Sequence, residues 1–171
     1  MDQPTPGQAR KPAKAFMTHK QKRWKPAATV AAVIERNGRF LLVEEETADG
    51  LKLNNPAGHL DLGESPIEGV IRETLEETAC EFEPTAFLGI FMSRHRQETY
   101  LRMAFCGSVG APIAGRGLDE GIARSLWMSV EELRACPERH RTPLLMACIE
   151  AYLAGRRLPL DTVYAHPSVL E

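Results

Sequence analysis

Apolar and polar positions along the chain fall into blocks with two periods, one near two residues and one near 3.6. From Ala27 to Ile34 the chain is apolar and β-branched (TVAAVI), and Asn37-Gly38 is a strong two-residue hairpin signal before RFLLVEEE. Residues 28–35 and 39–45 are therefore predicted to pair as a hairpin, with the acidic end Glu44-Glu45-Glu46 solvated. After the turn Ala48-Asp49-Gly50, the stretch LKLNNPAG is expected to run extended into Gly58. The period then changes. Ser65 is a good helix N-cap, Pro66 suits the first helical position and Glu68 completes a capping box, so a helix should run from there toward Ala79.

Two further strands follow, TAFLGIFMS and TYLRMAFCGSV, joined by the polar turn Arg94-His95-Arg96-Gln97-Glu98. In the second, Leu101, Met103 and Phe105 alternate with Tyr100, Arg102 and Ala104, so the two sets face opposite ways. Residues 110–121, rich in Gly and Pro, read as a loop ending in Asp119-Glu120, and ARSLWMS as a last strand. Ser129 and Glu132 form a second capping box over a short helix. Thr142-Pro143 opens the final one, LLMACIEAYLAG, closed by Gly155. Its stripe of Leu144, Leu145, Cys148, Ile149 and Tyr152 is assigned to core packing. The remainder, RRLPLDTVYAHPSVLE, reads as an extended tail, and neither His140 nor His166 has metal-ligand spacing. Strands, helix, strands and a helical end make an α+β layered pattern.

A chain of 171 residues, 43% hydrophobic, is long enough for one well-buried domain. That domain is placed at residues 26–160, between a basic tail at 1–25 that fits disorder and a C-terminal tail at 161–171. The folded pattern begins only near Trp24, and Met17 stands as an alternative start. Seven Lys/Arg against Asp2 give residues 1–25 a balance of +6, which leaves −8 for residues 26–171 out of a total of −2. An acidic domain argues against nucleic acid as a partner, and no apolar run approaches the ~18 residues needed to span a membrane. Cys80, Cys106, Cys136 and Cys148 form no Cys-x-x-Cys, so free thiols in a reducing cytoplasm are expected. A monomer or a homodimer is anticipated.

Most of the chemistry lies between Gly58 and Cys80, GHLDLGESPIEGVIRETLEETAC. On the predicted helix Glu73, Glu76 and Glu77 stand at i, i+3 and i+4, so three carboxylates share one face within about 5–6 Å at Cβ. Like charges so placed repel, by a few tenths of a kcal/mol per pair on the order of magnitude measured in helices, and call for basic side chains or a hard cation. Oxygen ligands favour Mg²⁺ or Mn²⁺. Gly58 is followed after five residues by Glu64, after seven more by Arg72-Glu73, and then by Glu76-Glu77. This spacing resembles the Nudix box, Gly-x5-Glu-x7-Arg-Glu-U-x-Glu-Glu-x-Gly-U with U a bulky apolar residue, at all but one of its fixed positions. A match of that quality in one register arises by chance on the order of 10⁻⁵ times in a chain this long. Thr74 and Cys80 occupy the bulky apolar positions and Ala79 stands where the family has Gly, so either Ala79 is strained or the helix ends differently.

The resemblance implies an α-β-α sandwich around a mixed sheet and a Mg²⁺-dependent hydrolase, Mn²⁺ being the alternative cation, that cleaves phosphoanhydride bonds of a small nucleotide or diphosphate. It implies Glu76 and Glu77 as principal metal ligands, with Glu73, the Gly58 carbonyl and either Glu64 or Glu120 completing the set, and Arg72 as the residue that orients Glu73. The general base stays open between Glu73, Glu76, Glu120 and Asp119. For substrate binding, Arg102 is a candidate phosphate contact with a plain surface arginine as the alternative, and Arg94, Arg96 and Tyr100 are further candidates. Many family members carry Trp where Leu53 stands. The flanks WKPAATVAAV, NPAGHLDLGES and GRRLPLD look like those of the NudJ-type phosphatases, which act on nucleoside di- and triphosphates and related diphosphates such as those of thiamine metabolism. Nucleotide-sugar or ADP-ribose pyrophosphatases, an isopentenyl-diphosphate-isomerase-like enzyme and a non-catalytic ligand sensor are the alternatives.

Overall fold

The computed structural model describes residues 24–170. The tail expected over residues 1–25 lies, up to residue 23, outside the described residues, as does the alternative start at Met17. Strands β1 (Ala27–Arg36) and β2 (Arg39–Thr47) are joined through Asn37 and Gly38, whose φ values of 53° and 77° supply the twist that a two-residue hairpin needs. Continuous apolarity in β1 has a direct cause. Val30, Ala32 and Ile34 enter the core on one face of the sheet and Val33 enters the core on the other, so both faces of the strand are covered.

β1 runs parallel to β6 (Glu98–Val109), from Ala27 opposite Tyr100 to Ile34 opposite Gly107, and β6 is antiparallel to β5 (Phe82–His95). β2 pairs antiparallel with β3 (Gly50–Asn54) and with β7 (Ile122–Ser129), while the short β4 (Ala57–His59) pairs with β1. The sheet is thus mixed. Helix α1 (Pro66–Thr78) packs Ile67, Val70 and Ile71 on one face; α2 (Val130–Arg134) and α3 (Leu144–Leu153) pack Leu133, Leu145, Cys148 and Ile149 on the other. This is the expected α+β arrangement, an α-β-α sandwich. Leu53, fully buried in the α3-side core, fills space with a side chain smaller than Trp.

Three local expectations are corrected. Glu44 is not solvated: it is 4% exposed and bonded to Arg124 Nε at 2.8 Å and to Arg139. The turn between β5 and β6 is shorter than five residues, because pairing continues to His95 opposite Glu98 and leaves only Arg96 and Gln97. The chain after Gly155 is not simply extended. Phe87 and Leu158 exchange two backbone hydrogen bonds of 2.8 and 2.9 Å, helical turns follow at Leu160–Thr162 and Pro167–Val169, and Leu160 and Val163 pack against the α1-side core.

Candidate active site

The start of α1 forms as its sequence dictates. Ser65 Oγ accepts from the Glu68 N–H at 3.2 Å, and the Glu68 carboxylate accepts from the Ser65 N–H at 2.8 Å. Its end resolves the question raised by Ala79, which adopts the left-handed conformation (φ 57°, ψ 17°) that Gly usually takes there, with its N–H donating to Leu75 O at 2.9 Å. The conformation costs an L-residue roughly 1–2 kcal/mol. Burial offsets it, since Ala79 is 4% exposed and its carbonyl accepts from the Ile113 N–H at 2.8 Å. Thr74 fits an apolar position because its hydroxyl donates to Val70 O at 2.7 Å and leaves nothing unpaired.

Arg72 gathers the acids. Its Nε and Nη2 donate to the two oxygens of Glu64 at 2.9 and 2.7 Å, its Nη1 to Glu73 at 2.8 Å and Glu76 at 2.9 Å, and its Nη2 to the His59 carbonyl at 3.0 Å. The fork closes on Glu64 rather than Glu73, as expected of helix neighbours at i and i+1, which do not face each other. Those bonds stabilise the charged guanidinium and raise its pKa. Glu73 is 8% exposed, and burial raises its carboxyl pKa despite Arg72.

Glu77 is 7% exposed and accepts from the Ala57 N–H at 2.8 Å. Burial pushes its carboxyl up to about 9, against the pull of that N–H and with the charges of Glu45, Glu73 and Asp119 adding to the rise. β4 therefore lies directly over the acidic face of α1. Of the two loop acids, Asp119 is the one whose charge is felt by Glu73 and Glu77, its backbone N–H donating to Glu76 O at 3.1 Å. Both are exposed, and Glu120, the other loop acid named from the sequence, is not among the leading charges on either.

Among the described residues no three acidic, His or Cys side chains converge on a single point; Glu64, Glu73 and Glu76 turn to Arg72 instead. The donor chemistry still fits a hard divalent cation. One guanidinium serves three carboxylates, a fourth is buried at Glu77 with no cation from the described residues bonded to it, and every donor is oxygen.

Beside the acids opens a cleft of ≈ 670 Å³ whose wall includes Ala57 and Gly58. Arg94, Arg96, Tyr100 and Arg102 all line it, as do Lys52, Arg141, Glu45 and Asn54, for which sequence reasoning gave no role. The signal for Glu45 was present: the acidic run falls inside a strand predicted to reach residue 45. Its carboxylate accepts from Asn54 Nδ2 at 2.8 Å and pairs with Arg141 Nε at 2.9 Å. Arg102 is neither a surface residue nor freely extended. At 6% exposed it forms part of the cleft floor, donates to Asn54 Oδ1 at 3.3 Å and lies against Cys148, and burial lowers its pKa.

The sequence model of the NUDIX domain matches residues 24–146. The chain belongs to the NUDIX family. Family membership makes it a hydrolase of phosphorus-containing anhydrides, in a family that generally works with divalent metal ions. "Phosphatase NudJ" from Escherichia coli (strain K12) and its counterpart from Shigella flexneri are each 34% identical over 142 residues, covering 82% of this chain and 92% of the relative. Among solved structures, a NUDIX hydrolase from Nitrosomonas europaea is 48% identical with a TM-score of 0.81, covering 84% of this chain and 99% of that one. A MutT NUDIX hydrolase from Burkholderia pseudomallei, 20% identical with a TM-score of 0.64 over 75% of this chain and 98% of that one, shares the fold.

Proposed function

We propose that this NUDIX hydrolase uses Mg²⁺, with Mn²⁺ as substitute, to cleave phosphoanhydride bonds in nucleoside di- and triphosphates or related small organic diphosphates. One observation carries the reading: Ala57 and Gly58 line the cleft and also touch Glu77 and Glu73, so the cleft and the carboxylates meet at the same strand, β4. The likeness to the NudJ phosphatases supports the substrate class. The cleft wall supports it too, with Lys52, Arg94, Arg96 and Arg141 offering cationic groups to an anion within a domain that is acidic as a whole.

Glu76 and Glu77, with Glu73 and the Gly58 carbonyl, would hold the cation. It would neutralise phosphate oxygens and make a water acidic enough to attack at neutral pH. Arg72 and Glu64 act as a brace that fixes Glu73 and Glu76. For the proton of the attacking water the candidates are Glu73, Glu76, Asp119 and Glu120, with Asp119 favoured over Glu120 because its charge acts on Glu73 and Glu77. None of the four cysteines lines the cleft, so the isomerase alternative has no thiol to offer there. No helix among the described residues is long and apolar enough to cross a membrane.

The test is a panel of nucleoside di- and triphosphates and small diphosphates assayed with Mg²⁺, reading orthophosphate against pyrophosphate. Activity should vanish in excess chelator and return with Mg²⁺ or Mn²⁺. Glu76→Gln should lower turnover by at least ~10² because it withdraws charge from the cation site. Cleavage that proceeds unchanged in chelator would end this reading.

A further inference from the structure

Two residues that line the cleft each hold a buried polar atom with no partner among the described residues, Thr29 Oγ1 and Arg102 Nε. Thr29 is 4% exposed and Arg102 6%. A buried polar group left unpaired costs about 1–3 kcal/mol, and two of them in one cleft point to a ligand that completes them. They are neighbours by construction. Thr29 stands opposite Arg102 in the β1–β6 ladder and opposite His59 in the β1–β4 ladder, so His59, Thr29 and Arg102 form one row across three strands, on one face of the sheet. Tyr100, two residues before Arg102, shares that face, and its ring centroid lies 6.3 Å from that of His59, the planes inclined at 52°.

The donors limit what can bind. Arg102 Nη1 is held by Asn54 Oδ1, which leaves the Nε–H unpaired beside a hydroxyl that donates or accepts. A phosphate dianion at this point is disfavoured by the Glu45 carboxylate, which holds the other end of the same Asn54 amide. A neutral ring edge, with an exocyclic oxygen or a ring nitrogen as acceptor, satisfies both atoms without adding charge. Neighbouring strands lie about 5 Å apart, so the two side chains stand side by side within reach of one heterocycle.

We propose that Thr29 and Arg102 read the edge of a planar nitrogen heterocycle carried by the substrate, with the His59 and Tyr100 rings against its faces. The row is thus a specificity element for the organic group, distinct from the phosphate contacts of Lys52, Arg94, Arg96 and Arg141, and the proposal rests on the phosphoanhydride reading of the neighbouring acids. It reassigns Arg102 from phosphate to ring. A sugar or an isoprenoid in place of the ring leaves the row unsatisfied.

The test is Thr29→Val, which keeps shape and β-branching and removes the hydroxyl. kcat and KM are measured for a set of nucleoside triphosphates and for inorganic tripolyphosphate, which has no ring, and binding of the free nucleosides is measured by calorimetry on both proteins. The ratio of kcat/KM between nucleoside triphosphate and tripolyphosphate should fall at least about fivefold, through KM, and nucleoside affinity should fall by a similar factor. An equal loss on both substrates, or no loss on either, overturns the proposal. Should the parent protein cleave neither, the hydrolase reading fails and the calorimetry decides the row by itself: nucleoside binding weakened in Thr29→Val upholds it, and no nucleoside binding by the parent removes it.

Discussion

The carboxylate of Glu73 occupies the space beside Gly58 that a side chain would need: a Cβ built on Gly58 lies 2.2 Å from its carboxyl carbon and from both its oxygens. The first residue of the box is therefore Gly for a steric reason, because β4 must approach the acidic face of α1 closely enough to share a wall with it. Gly58→Ala should push Glu73 off Arg72, whose Nη1 now holds it at 2.8 Å. We expect turnover to fall by at least ~10² with a stability loss of about 1–3 kcal/mol, typical of overpacking. Steady-state kinetics and thermal melts check both, and an alanine variant of parental activity would mean that Glu73 has no fixed place in the reaction.

Glu77 makes metal-free stability depend on pH. Its folded pKa, about 9, lies above the unfolded value near 4.5, so between these the folded state binds the extra proton and stability falls as pH rises, becoming level above about 9. Melting of the chelator-treated protein from pH 5 to 9 should show this decline. Glu77→Gln, which keeps an acceptor for the Ala57 N–H, should flatten it. Saturating Mg²⁺ should restore stability at the high end, because a cation favours the ionised carboxylate; a concentration of 100 Kd is worth ~2.7 kcal/mol. A parent protein with a flat profile would place Glu77 in a more polar environment than its 7% exposure implies.

How much of this was legible in the residues differs by element. The hairpin at Asn37-Gly38, both capping boxes and the carboxylate register depend on neighbours within a few positions, and local spacing suffices to read them. Ala79 was half legible: its position marked the helix end, but the burial that holds it in a left-handed conformation comes from packing and from Ile113. The Glu44 and Glu45 ion pairs join residues 80 and more positions apart, and an acidic run alone cannot announce which arginines will come to it. The same holds for Arg102, whose strand alternation was read correctly although the face it occupies is roofed by α3, not by solvent.

Arg72 should resist its nearest replacement. Lys carries the charge but has no planar fork, and here five donor contacts spread over Glu64, Glu73, Glu76 and the His59 carbonyl. Arg72→Lys should therefore lower kcat by about 10–100-fold, and weaken Mg²⁺ affinity in the same range, by loosening two would-be ligands rather than by removing one. KM for substrate should change little. A Mg²⁺ titration of activity separates the effects, and a lysine variant with parental metal affinity would rule out the brace.

Glu44 tests whether the far wall of the cleft is held from below. Its side chain is 5% exposed and joins β2, at a register shift against β7, to Arg124 on β7 and to Arg139 in the turn Pro137–Arg139. Two residues on, Arg141 reaches Glu45 and lines the cleft, and its N–H donates to Leu53 O at 2.9 Å. Glu44→Gln leaves one neutral amide where two guanidiniums met a carboxylate. Because the Arg124 and Arg139 side chains are 62% and 36% exposed, water recovers part of the loss, and we expect about 1–2 kcal/mol rather than the larger value of a fully buried pair. Denaturant titration should show a lower midpoint at unchanged slope. If the turn relaxes, Arg141 moves with it, so KM should rise several-fold while kcat, set by the acids of α1 on the other side of β4, stays within about twofold. A variant with lower stability and parental KM would show that Arg141 is placed by Leu53 and Glu45 alone, and one with lower kcat would tie Glu44 to the metal cluster instead.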